Sequence, residues 1–159
     1  MRFYMVGTGD DMYFEDIKIG SKVELAPVTV DKEEMVAFAK RYNPVPFHTD
    51  EEFAKTTKAG ALTSSGLYTF ALMWAEYVKQ DIGGEQTIAG LSMRLDFKAP
   101  VFAGDILSGT AAVISKHERN PYNGVFTVRI DIFNSLGELV LTNETDTVVK
   151  RKPTEEGKE

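Results

Sequence analysis

The stretch SSGLYTFALMWAEYVK, residues 64–79, is apolar at almost every position between Gly66 and Ala75. Polar side chains return only at Glu76 and Lys79. A helix that is apolar around its whole circumference is typical of a helix enclosed by the rest of its domain. The sequence therefore predicts a long helix buried at the centre of the fold.

After this helix the pattern changes to that of β-strands. Pro121–Gly124 and Leu136–Gly137, which lie between apolar runs, are typical of hairpin turns. Val128, Ile130 and Ile132 alternate with polar residues, which predicts a strand with one buried and one polar face. We therefore predict a long antiparallel meander made of four runs: TIAGLSMRLDF, ILSGTAAVISKHE, VFTVRIDIFNS and LVLTNETDTVVKR.

The segment before the helix predicts one strand and shorter helices. KVELAPVTV, residues 22–30, is partly alternating and β-branched, and Asp31 follows it as a predicted helix N-cap. That helix should end at Asn43–Pro44, because a residue before proline is pushed out of the α region. DEEFAKT, residues 50–56, predicts one or two further turns. Together these elements predict an α+β domain whose antiparallel sheet wraps around the central helix.

Length and composition narrow the class of protein. The 159 residues are expected to form one domain over 13–150, with an N-terminal extension at 1–12 and a flexible charged tail at 151–159. A formal net charge of -6 argues against a nucleic-acid partner, and no apolar run approaches the ~20 residues that cross a membrane. Two histidines and no cysteines argue against a metal site and fit a cytoplasmic protein.

The loop YNPVPFH, residues 42–48, is the main candidate for chemistry. Proline fixes the backbone angle φ, so Pro44 and Pro46 hold this loop stiff. The loop ends at His48, which could serve catalysis or could satisfy a buried polar group. The second histidine, His117, lies in a charged stretch and is predicted to be an exposed surface residue.

Two stretches carry a family resemblance: NPVPFHTDEEFAKTTKAGALTSSGLYTFAL, and LDFKAPVFAGDIL after the central helix. From about Tyr13 to Lys150 the chain resembles the MaoC-type dehydratase family of hot-dog-fold proteins, which is similar to the (R)-specific enoyl-CoA hydratases. The first stretch is the more specific, since the second is common among hot-dog acyl-CoA proteins. The resemblance implies the hot-dog fold and a homodimer or dimer-based higher oligomer with a continuous sheet. It also implies an acyl thioester near the dimer interface, with coenzyme A or an acyl carrier as part of the substrate and no separate cofactor.

The resemblance also implies a catalytic site. The family pattern is an Asp, four residues, and then a His with a proline two residues before it. His48 and Pro46 match this pattern, while the Asp position is occupied by Asn43, which can orient a water but has no useful basicity. Gly66 matches the glycine that the thioester carbonyl faces, at the start of a helix whose N–H groups would hold an enolate.

Further residues near these motifs are candidates for binding or for structure. Ser64 and Ser65 are predicted first as helix N-caps, and Ser65 also as a hydrogen-bond donor to substrate. Asp96 and Asp105 are expected to serve turn geometry. Four more residues are expected to contact the substrate, the last two through its phosphates: Phe47, Leu67, Arg94 and Lys98.

Three function classes follow from these residues. The first is an acyl-CoA hydratase or dehydratase that uses His48, with Asn43 orienting the water. The second is a non-catalytic acyl-CoA-binding or partner subunit, because Asn43 replaces the family's acid. The third is a hot-dog thioesterase, which is disfavoured because the central helix has no acid before Glu76, about two and a half turns in.

Overall fold

The computed structural model of the chain describes residues 12–155. All but the last residue of the predicted N-terminal extension lies outside that range. The described strands are β1 (Lys22–Thr29), β2 (Thr87–Phe97), β3 (Ile106–Glu118), β4 (Asn123–Phe133) and β5 (Leu139–Lys150). The described α-helices are α1 (Lys32–Tyr42), α2 (Pro46–Thr49), α3 (Glu51–Lys55) and α4 (Gly66–Val78). Short 3₁₀ helices lie at Phe14–Asp16 and Gly84–Gln86.

The five strands form one antiparallel sheet in the order β1-β3-β4-β5-β2. The predicted meander is confirmed for β3, β4 and β5 but is wrong for β2, which pairs with β5. The edge of β3 that a meander would offer to β2 is occupied by β1. Backbone bonds of 2.8 Å from Val30 N to Asp105 O and from Gly104 N to Val30 O hold that pairing at the start of β3. Residues 98–105 therefore carry the chain across the sheet.

Helix α4 packs on one face of the sheet, against β1 and β3. Its residues Tyr68, Phe70, Met73 and Tyr77 are buried. The predicted alternation in β4 is confirmed, because its apolar positions 128, 130 and 132 are at most 1% exposed while the intervening polar positions are partly exposed. The α+β class and the central helix thus follow from the apolar pattern.

The opposite side of α4 is exposed in the single chain. Leu67 is 46% and Val78 54% exposed, and Ala71 and Ala75 lie between them on the same helical face. We call these four residues the α4 stripe. The expectation of burial therefore holds for the sheet-facing side, because one sheet can cover only one side of a helix.

Strand β2 is an edge strand that is exposed along most of its length. Ile88, Leu91 and Met93 are each about half exposed. An exposed apolar edge offers unpaired backbone groups and apolar side chains to another chain. The sheet edge and the α4 stripe are therefore two apolar surfaces that the single chain leaves uncovered.

Helices α1 and α3 lie where the sequence predicts them, whereas α2 was not predicted, because residues 46–49 belong to the proline-bearing stretch that was expected to be a loop. Asp31 caps α1, accepting a 2.9 Å hydrogen bond from Glu34 N, and α1 ends at Tyr42 with Asn43 as its C-cap. Asp50 caps α3 in the same way through Phe53 N. These caps fix where the proline-bearing loop starts and where it ends.

The charged C-terminal segment begins with two anchored residues. Arg151 forms ion pairs of 3.1 Å with Glu15 and with Glu118. Lys152 Nζ lies 2.6 Å from an oxygen of Asp16, and this contact lowers the pKa of the Asp16 carboxyl. The flexibility predicted for the tail stays a prediction.

Candidate active site

The segment Thr63–Ser65, which leads into α4, receives two side chains from the proline-bearing loop. His48 Nδ1 lies 2.7 Å from the carbonyl oxygen of Thr63 and 3.2 Å from its hydroxyl oxygen. The side-chain amide of Asn43 donates a 2.9 Å hydrogen bond to Ser65 Oγ. Both predicted catalytic side chains are thus held at points two residues apart, immediately before the N-terminus of the central helix.

The contact with Thr63 selects the tautomer of His48. A carbonyl oxygen can only accept a hydrogen bond, so Nδ1 must carry the proton that it donates to Thr63. In the neutral ring Nε2 then has the lone pair and is the basic atom. The imidazole is 7% exposed, and the ring of Phe47 lies edge-on at 4.4 Å between centroids. His48 is therefore a fixed ring whose remaining nitrogen can take up a proton.

Asn43 is placed by the end of α1. Its backbone N–H donates to Ala39 O, and its side-chain nitrogen is used by Ser65. The side-chain oxygen of Asn43 is the atom suited to accept a hydrogen bond from a water. An ionised aspartate at this position could only accept, so the hydrogen bond with Ser65 would run in the opposite direction.

The N-terminus of α4 has no side-chain cap. Ser65 occupies the N-cap position and is fully buried, but its hydroxyl makes no capping bond. Ser64 Oγ donates to Ser65 O and accepts from Thr69, so the prediction that these serine side chains cap the helix is wrong. The first N–H groups of a helix have no partner within it and carry partial positive charge. The start of α4 can therefore receive a ligand oxygen.

The second sequence motif, LDFKAPVFAGDIL, is hydrogen-bonded to the segment Thr63–Ser65. Ser64 N donates a 2.7 Å bond to Val101 O, and Thr63 forms a β-bridge with Phe102. Asp105 in turn accepts a 2.9 Å bond from Phe102 N, which confirms its predicted role in turn geometry. The turn after β2 therefore fixes the backbone to which His48 is anchored.

Gly66 is in close contact with Phe97, the last residue of β2. A Cβ added at Gly66 would overlap three carbon atoms of the Phe97 ring. Phe97 was not among the residues singled out from the sequence. Its only signal is its place in the LDFKAP motif, because an aromatic at a strand end is usually read as packing.

The other predicted binding residues fall into two groups. Leu67 lies in the first turn of α4, and Phe47 lies beside His48, so both adjoin the site. Arg94 is on the face of β2 opposite to Phe97, because alternate residues of a strand point to opposite faces. Its guanidinium lies 2.9 Å from Asp96, which raises the pKa of Arg94 and lowers that of Asp96. The structure therefore does not bring Arg94 to the site, and Lys98 lies exposed just beyond the end of β2.

The remaining observations concern metal-binding groups, the acid of α4, membrane-spanning helices and His117. Within residues 12–155, no group of three or more histidine or acidic side chains is arranged to hold a metal ion. Glu76, the acid on α4, lies 2.6 Å from Lys79 Nζ. No helix among the described residues is both long and apolar enough to cross a bilayer. His117 is exposed, as predicted.

Comparison with known proteins gives a consistent set of relatives. YdeM of Bacillus subtilis, named as uncharacterized, is 26% identical over 141 residues, which are 88% of this chain and 100% of that protein. A 3-hydroxybutyryl-CoA dehydratase of Methylorubrum extorquens is 33% identical over 97 residues, 60% of each protein. An (R)-specific enoyl-CoA hydratase of Aeromonas caviae is 29% identical over 136 residues, 84% of this chain and 96% of the enzyme.

Solved structures share the fold over nearly the whole chain. The monoamine oxidase regulatory protein from Archaeoglobus fulgius superposes with a TM-score of 0.82 and 33% identity, covering 89% of this chain and 95% of that one. The MaoC-like dehydratase from Rhodospirillum rubrum superposes with a TM-score of 0.80 and 29% identity, covering 91% of this chain and 100% of that one. The predicted hot-dog fold is confirmed. Because the family model of the MaoC like domain also matches residues 15–131, the chain belongs to the MaoC-like dehydratase family.

Proposed function

We propose that this protein is an acyl-thioester hydratase or dehydratase, which adds water to an enoyl thioester or eliminates it. The observation that carries the proposal is the anchoring of His48 and Asn43 on the segment that enters α4. The reaction also needs a site for the negative charge that develops on the carbonyl oxygen, and the uncapped start of α4 is suited to that role. The names of the relatives from Aeromonas caviae and Methylorubrum extorquens support the same reaction class.

In the proposed reaction the thioester carbonyl oxygen accepts hydrogen bonds from the backbone N–H groups of Gly66 and Leu67. His48 Nε2 takes a proton from a water that is oriented by the side-chain oxygen of Asn43. The resulting hydroxide adds to the β-carbon, and negative charge develops on the carbonyl oxygen. The protonated His48 then delivers its proton to the α-carbon. Elimination follows the same steps in reverse.

The role of Asn43 in this proposal is to position the water. Its amide has no basicity, so His48 is the base in the hydration direction. Ser65 holds the amide nitrogen of Asn43 and thereby turns its oxygen toward the water. Phe47 and Leu67 border the acyl group.

The test is the loss of enoyl-thioester absorbance of a short trans-2-enoyl-CoA, with product chirality measured by chromatography. Wild type is expected to turn over slowly, and Asn43→Asp to raise kcat at least about tenfold, because it restores a second basic group. A control asparagine should leave the rate unchanged when it is replaced by aspartate. Asn143 is buried, so Asn123→Asp at the exposed hairpin is a better control than Asn143→Asp. No turnover by wild type or Asn43→Asp, together with no calorimetric binding of acyl-CoA, would refute the proposal.

A second candidate is a non-catalytic acyl-thioester-binding subunit, and the specific observation in its favour is the amide of Asn43. In that case wild type binds acyl-CoA in the calorimeter without turnover, and Asn43→Asp creates turnover. Release of free thiol from a saturated acyl-CoA would instead indicate a thioesterase. The same set of assays therefore separates all three classes.

We also propose a homodimer in which two β2 edges pair and the α4 stripes are covered. We expect the protein to sediment at twice the chain mass of 17.7 kDa. Leu91→Lys should shift the protein toward the monomer, because it places a charge in the apolar interface between the two β2 strands. Leu136→Lys should not, because Leu136 lies at a turn and is 91% exposed. Sedimentation of wild type as a monomer at micromolar concentration would contradict this assembly.

A further inference from the structure

Phe97 is a surface aromatic that touches the proposed carbonyl-binding turn. It is the last residue of β2 and remains 61% exposed in the single chain, although its ring lies against Gly66. A ring placed only to fill the core would be covered. In the single chain one side of the ring lies on the helix start and the other side is open, so the ring can border a ligand bound at that helix start.

The direction of the contact places the ring beside the first N–H groups of α4. In a helix every Cα–Cβ bond is tilted toward the N-terminus. The space that a side chain at Gly66 would occupy therefore lies at the N-terminal end, and the Phe97 ring fills that space. An oxygen bound to the N–H groups of the first turn would have this ring as its neighbour.

Three elements of the fold thus meet at the start of α4. The segment after α1 brings Asn43 and, on α2, His48, while α4 brings its N–H groups and the sheet edge brings Phe97. In an acyl thioester the α-carbon is two bonds from the carbonyl oxygen. A substituent on that carbon must then share the space between the loop and the ring.

Building on the proposed function, we propose that the Phe97 ring is the wall of the acyl site at the α-carbon and selects thioesters that are unbranched there. The flat ring packs well against a planar enoyl thioester, because aromatic rings bury a large apolar area in one orientation. An α-methyl group would have to displace the ring or lift the carbonyl from the helix.

The test compares crotonyl-CoA with 2-methylcrotonyl-CoA as substrates. Wild type is expected to favour the unbranched substrate in kcat/KM by about 10–200-fold, the range for one methylene in a fitted pocket. Phe97→Ala should lower that ratio about tenfold, because the methyl group gains room. Met93→Ala is the matched control, since Met93 lies on the same face of β2, four residues earlier and 49% exposed, and should leave the ratio unchanged.

A binding measurement tests the role of Phe97 independently of whether the protein catalyses hydration. The dissociation constants of butyryl-CoA and isobutyryl-CoA, measured by calorimetry, need no turnover. Wild type should bind butyryl-CoA more tightly than isobutyryl-CoA. In Phe97→Ala the two dissociation constants should be closer to each other. This variant should sediment like wild type, which shows that its assembly is unchanged. Equal ratios in wild type and Phe97→Ala would overturn the role of Phe97, even if hydration is observed. A changed binding ratio without any turnover would support the wall and refute only the hydratase.

Discussion

Replacing His48 with alanine should lower the hydration rate by about 10²–10⁴-fold, the contribution of a positioned general base. The imidazole is the only basic group on the loop, because Asn43 has an amide at the position where a carboxylate would act as a second base. The initial rate of enoyl-CoA hydration at saturating substrate measures the effect. His117→Ala removes the exposed histidine and should leave the rate unchanged.

Because His48 is buried and bonded to Thr63, its removal could also disturb the fold. His48→Gln separates the two effects. The amide of glutamine can donate to the Thr63 carbonyl but cannot accept a proton from water. We expect this variant to unfold at a denaturant midpoint near that of wild type and to be as inactive as His48→Ala. A His48→Gln protein with wild-type activity would show that the imidazole is not the base.

Gly66→Ala is expected to lower kcat by about 10²–10³-fold, the cost of losing a donor at a developing oxyanion. Its Cβ would meet the Phe97 ring, so either the ring or the start of α4 must move. The first N–H groups of the helix would then no longer point at the carbonyl oxygen. Steady-state kinetics on the enoyl-CoA substrate measure this change.

Removing the ring at the same time tests this explanation directly. In the double variant Gly66→Ala with Phe97→Ala, the new methyl group occupies vacated space, and kcat should recover by at least about tenfold. Gly90→Ala is the matched control, because a Cβ there meets nothing within 4 Å. A double variant no better than Gly66→Ala would mean that the methyl group itself, and not the displaced ring, blocks the site.

Local patterns in the sequence predicted those parts of the fold that depend on neighbouring residues. The alternation of Val128, Ile130 and Ile132 located the buried face of β4, and Asn43–Pro44 located the end of α1. The pairing of β2 with β5 was missed, because no local pattern records which strand edge is already occupied. The exposed stripe on α4 was missed for a related reason, since a helix that is apolar all round does not show which side the sheet covers.

The candidate site was predictable in its members more than in its contacts. The loop motif singled out His48 and Asn43, but their anchors on Thr63 and Ser65 are 15 and 22 residues away. Serine before a helix usually predicts a cap, whereas the Ser65 hydroxyl accepts a hydrogen bond from the Asn43 amide and makes no capping bond. Phe97 meets Gly66 across 31 positions, which only the folded chain could show.

The proline after Asn43 also affects how the protein ages. Asparagine in proteins turns spontaneously into aspartate mainly when the backbone nitrogen of the next residue attacks the side-chain amide and closes a five-membered ring. The nitrogen of Pro44 bears no hydrogen, so this route is closed at that peptide bond. The amide of Asn43 is therefore chemically durable, and old and newly made molecules carry the same neutral group at this position.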